Sequence, residues 1–139
     1  MNTEDIKAIE AQIGIALPDF YRATMMNYPF PNDSFADEFL LPNSSSAVLA
    51  NNDDPGEYPD VAKPFVIGGD GGEEIYFIDL ATTTSQVFVY DMETGKHSPH
   101  ADDWAKYLDQ IANTLKEIEE DEQAETEHKA NKKWWEFWK

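Results

Sequence analysis

The side chains best suited to chemistry in this sequence are carboxylates, and they collect in three stretches where no helix needs them. Asp53, Asp54, Glu57 and Asp60 share a run broken by Pro55, Gly56 and Pro59. Asp70, Glu73 and Glu74 interrupt and follow the glycines Gly68, Gly69, Gly71 and Gly72, and Asp91 and Glu93 end a run of apolar residues. Grouped carboxylates can ligate a metal, exchange a proton or hold a cation on a partner's surface, and spacing separates these uses. The first stretch lacks the glycine and glutamate spacing of a calcium loop. The second lacks the GxxxxGK[ST] spacing and the lysine of a phosphate loop, and its acids stand where an anion would approach. His97 and His100 lie near Asp102 and Asp103, but Ser98-Pro99 separates the two imidazoles and no third ligand is placed, so they read as a polar turn before a helix cap. Ser44, Ser45 and Ser46 have no catalytic motif around them, and no nucleophile stands beside a base. The expectation is a protein that is not an enzyme and uses no metal and no cofactor. Its binding residues are then Asp53, Asp54, Glu57, Asp70, Glu73, Glu74, Asp91 and Glu93, carried on loops of a rigid scaffold, with Asp70, Glu73 and Glu74 exposed.

Charge narrows the class of partner. The chain has 139 residues and a formal net charge of −18. Residues 1–100 hold 17 acidic and 4 basic side chains, so −13 belongs to the body and −5 to the remainder. Such a surface repels nucleic acid and anionic membranes and draws basic proteins from a distance. There is no cysteine, which removes disulfides and thiolate metal sites. No basic-then-apolar leader and no run of about 20 apolar residues occurs, so the expected compartment is the cytoplasm, with no membrane contact.

The elements that position the acids are legible from periodicity. Phe65–Asp91 reads as the spine: adjacent strands joined by the glycine-rich turn. Ile75 and Phe77 point to one face and Tyr76, Ile78 and Leu80 to the other; both sets are apolar, which predicts a strand inside a sheet and covered on both sides. Ile6, Ile9 and Ile13 mark a first helix over 3–13, closed by Gly14; Pro18 opens a second over 18–28. Glu38–Leu41 reads as a brief strand, and the serine-capped run after it as one or two helical turns. The thirteen residues Asn51–Lys63 read as a long loop, of the kind that is functional or mobile. Trp104, Tyr107, Leu108, Ile111, Leu115 and Ile118 form one stripe of a long C-terminal helix, started by Ser98-Pro99 or Asp102. The sum is an α+β fold with a mostly antiparallel sheet of about five or six strands, in a single domain over 1–122 with an extension over 123–139.

Three stretches in this order, GIALPDFYRATMM, FVIGGDGGEEIYFIDL and VFVYDMETGKHSPHADDWAKYLDQI, resemble the SUKH superfamily of Smi/Knr-type, cell-wall-assembly-regulator-like proteins. The resemblance runs over roughly residues 4–115. It implies helices packed on a mostly antiparallel sheet. It also implies a function, because many bacterial members are immunity proteins that bind and neutralise a cognate toxin, often one directed at nucleic acid. Applied to this chain, the expected activity is occlusion of a basic toxin's surface, by a monomer or homodimer. The runner-up is a regulatory or scaffolding module of the same fold with a different partner, and the third reading is an enzyme of unknown chemistry.

The family pattern does not reach the last residues, where Trp134, Trp135, Phe137 and Trp138 stand between Lys132-Lys133 and Lys139. Four large aromatics in five positions do not suit a solvated end. The expectation is self-docking, on the chain's own body or on a second copy.

Overall fold

The apolar runs on either side of the glycine-rich turn form the first two strands of a four-stranded antiparallel sheet in chain order: β1 (Pro64–Gly69), β2 (Glu74–Asp79), β3 (Val87–Asp91) and β4 (Lys96–Ala101). A computed structural model describes the backbone of residues 1–136 and the side chains of residues 1–121. Phe65, Tyr76, Ile78 and Val87 turn towards the helices, while Val66, Phe77 and Phe88 lie in register across the opposite face. As expected, β2 is an inner strand buried on both faces.

The strand count is lower than the five or six expected. Glu38–Leu41 is not a strand; Ala36–Leu40 is a single π-helical turn, closed by a bond from the Leu41 N–H to the Ala36 carbonyl at 2.8 Å. The Asp37 carboxylate accepts from the Asp33 and Asn43 N–H groups and curls the segment around itself. A period-two pattern does not reveal that curl, because Leu40 and Leu41 are apolar and both are buried in the turn. Lys96–Ala101 corrects the sequence in the other direction. Its polar letters suggested a turn and a helix start, yet it pairs along the length of β3, with Val87 opposite Ala101 and Asp91 opposite Lys96.

The helices cover one face. Helix α1 (Thr3–Ile13) is held by a capping box between Asn2 and Asp5 and stops at Gly14, whose φ of 77° favours glycine. Helix α2 (Asp19–Met26) begins one residue after Pro18, which has extended geometry and stands outside the helix rather than at its first position. Helix α3 (Ser45–Asn51) is capped by Ser44. Helix α4 (Trp104–Glu136) starts neither at Ser98-Pro99, which lies in β4, nor at Asp102. Asp103 caps it by accepting from the Lys106 N–H at 2.8 Å. The stripe read from the sequence faces inward: Trp104, Tyr107 and Ile111 are buried, with Leu108 and Leu115 packed against them. The expected docking of Trp134, Trp135, Phe137 and Trp138 lies outside the described residues.

The opposite face is covered by the long loop between α3 and β1, and this explains its length. Tyr58 stacks on Phe77 with ring centroids 4.3 Å apart and planes within 8°, and it also meets Tyr90 and His97. Asn52 plugs the outer edge of β1: its side-chain amide accepts from the Val66 N–H at 2.7 Å and donates to the Val66 carbonyl at 2.9 Å. A side chain thus takes the place of a neighbouring strand, while Pro99 leaves the β4 edge one donor short. At the other end of the loop, buried Asp79 accepts from the N–H groups of Ala62, Lys63 and Ala81. Asp79→Ala orphans these donors and should destabilise the fold by about 2 kcal/mol. Urea denaturation measures it, and a loss below about 0.5 kcal/mol would show that water replaces the carboxylate freely.

Candidate partner-binding surface

In a meander the first and third hairpin turns emerge at the same end of the sheet. The β1–β2 turn and the β3–β4 turn are therefore neighbours, joined by a bond from the Met92 N–H to the Glu73 carbonyl at 2.8 Å. This brings together acids separated by some twenty positions of chain. Carboxylate oxygens of Glu73, Asp91 and Glu93 all lie within 4.8 Å of one another. A side-chain hydrogen bond with Glu93, slight desolvation and the charges of Asp91, Asp70 and Glu74 push the Glu73 carboxyl above its ordinary pKa. Like charges held this close favour sharing a proton or receiving a cation.

The other predicted residues have more varied surroundings. Asp70 is half-buried and braces its own turn, accepting from the N–H groups of Gly72 at 2.8 Å and Glu74 at 3.0 Å. Glu74 is also half-buried and accepts from the Tyr76 hydroxyl at 2.9 Å. The expectation that Asp70, Glu73 and Glu74 are all exposed thus holds for Glu73 alone. Asp53 and Glu57 are exposed on the covering loop and stay outside the cluster of three carboxylates.

Asp54 instead lines a cleft of about 270 Å³ beside the outer edge of β1. The π turn contributes Glu38 and Phe39 to its walls, the loop Asp54 and Pro55, and the β1–β2 turn Gly71 and Gly72. Glu38 and Phe39 escaped the sequence reading because they were placed on a strand. The available signal was the glycine density opposite them: a Cβ on Gly71 would stand 3.0 Å from the Phe39 ring.

The histidines do not converge. At a separation of three along β4 they occupy opposite faces, His97 beside Tyr58 and Phe77, and His100 stacked on Tyr76 at 4.5 Å. Burial pushes the His100 imidazole below its ordinary pKa, despite the opposing charge of Glu74.

The start of α2, the glycine-acidic turn leading into β2, and the run from β3 into α4 are the stretches on which the sequence resembled one family, and the comparison decides it. The family model described as SMI1 / KNR4 family (SUKH-1) matches residues 1–121. The chain belongs to this family. Neither a curated protein nor a solved structure gives a match. In this SUKH-1 chain the matched span contains all four strands, both acidic turns and the cleft, and it ends within α4. Among the described residues no helix is long and apolar enough to cross a membrane.

Proposed function

We propose that this SUKH-1 protein works by binding, as an immunity partner that occludes the surface of a basic, nucleic-acid-directed toxin. The observation that supports this reading most is the convergence of Glu73, Asp91 and Glu93 at one end of the sheet. The ion pairs among the described residues are Arg22–Asp19 and Lys106–Asp102, on α2 and at the start of α4. Neither supplies a cation to the cluster. A basic protein would relieve the repulsion there, and the field of a chain carrying −18 would speed its approach. Steering and occlusion need no covalent step.

The first test is co-purification with the product of the neighbouring gene, followed by association kinetics with that protein. Asp70 and Glu74 hold local structure, so the cleaner variant is Glu73→Gln with Glu93→Gln. Association at low salt should slow about threefold and its salt dependence should flatten. The melting temperature should stay level or rise, since the change removes repulsion between exposed carboxylates. An on-rate and salt slope equal to those of the parent would take this cluster out of the interface.

A further inference from the structure

We propose that the cleft beside β1 receives one basic side chain of the bound protein, and so anchors the partner that the acidic turns attract. This rests on the partner-binding reading above and narrows where the contact is made. At about 270 Å³ the cleft is too small to take in a turn of helix, whose diameter with side chains is about 10–12 Å, but it has room for a single long side chain. Phe39, 38% exposed, gives the cleft apolar lining together with Pro42, Pro55 and Ile75. Glu38 and Asp54 are exposed on two separate walls, one on the π turn and one on the covering loop.

That combination matches an arginine or lysine side chain. Its methylene stem suits the apolar lining, and its charged head can meet the carboxylates and the Phe39 ring. An apolar side chain would desolvate the two acids without pairing them, and an acidic one would be repelled. The walls are formed in advance. The Phe39 ring rests against Gly71, and the π turn that carries it is fixed by the buried bond from the Tyr107 hydroxyl to the Leu40 carbonyl. A preformed cleft loses little freedom on binding. The Glu73–Asp91–Glu93 cluster has another role here. Glu73 and Glu93 are exposed, and exposed charges steer more than they anchor.

The test uses the full chain, labelled with ¹⁵N, and the capped peptide Gly-Gly-Arg-Gly-Gly, with norleucine replacing arginine in a second peptide. The arginine peptide should move the amide signals of Phe39, Gly69, Gly71 and Gly72. Glu38→Gln with Asp54→Asn should weaken it about fivefold, and Glu73→Gln with Glu93→Gln by less than about twofold. The inference is overturned if the norleucine peptide binds as well, if the moving signals are instead those of Met92 and Glu93, or if no signals move. Signals confined to Met92 and Glu93 would remove the anchor and leave acidic steering intact. Cleft binding alongside an unchanged on-rate for Glu73→Gln with Glu93→Gln would remove the steering and leave the anchor.

Discussion

Phe77→Ala should lower the free energy of unfolding by about 3–5 kcal/mol, the range for deleting a fully buried aromatic ring. Phe77 has no exposed surface and lies at the centre of the sheet face that the helices do not reach. Its ring is stacked between two partners, Tyr58 at 4.3 Å and Phe88 at 5.4 Å. Phe88 is fixed in the neighbouring strand, so the sheet side of the cavity cannot close. Tyr58 belongs to the loop and can sink towards the gap, which favours the lower half of the range. The loop would then loosen, because the stack on Phe77 is its closest aromatic contact with the sheet. Two measurements check this. Urea denaturation gives the loss of stability, and hydrogen exchange should show faster opening at Val61 than at Ile9 in the helix-side core. A loss below about 1 kcal/mol would mean that the loop is not the sheet's second cover.

The spine was legible because both faces of β2 are written in apolar residues, and a short apolar run beside a turn signal suits a strand covered on both sides. The stripe of α4 was legible for the same reason, at helical period. Three features were not. Nothing in the composition of Asn51–Lys63 shows that Tyr58 returns to stack on Phe77; a loop that covers a sheet depends on one or two contacts rather than on a period. Glu38–Leu41 carries the apolar letters of a strand, and the π turn is held instead by hydrogen bonds that no period reveals, those of the Asp37 carboxylate and that of the Tyr107 hydroxyl. Lys96–Ala101 is a strand without apolar character, formed because β3 offers it a partner edge. The candidate surface divides in the same way. Acids on tight turns could be named from sequence, but the meeting of Glu73 with Asp91 and Glu93 follows from strand order. That Glu38 and Asp54 line the same cleft follows from the π turn.

Gly68→Ala should destabilise the fold by about 4 kcal/mol, although the change adds a single methyl group. The reason is space. The bulge between Val66 and Gly68 brings Gly68 beneath the π turn, and a Cβ there would lie 2.0 Å from the Leu40 carbonyl oxygen and 2.7 Å from that of Phe39. Both obstacles are backbone atoms, so no rotamer change relieves the overlap, and the π turn must lift away from β1. Lifting it also breaks the buried hydrogen bond in which the Tyr107 hydroxyl donates to the Leu40 carbonyl, the tie between this turn and α4. Overpacking and the lost bond together give the expected figure. Gly72→Ala is the control: its Cβ would meet nothing closer than the Asp70 carboxylate at 3.6 Å, and it should stay within about 0.5 kcal/mol of the parent. Thermal or urea unfolding of the two variants side by side decides the matter. If Gly68→Ala unfolds like Gly72→Ala, the close approach of the π turn to β1 is wrong. The cleft whose walls depend on that approach would then lose its Phe39 side.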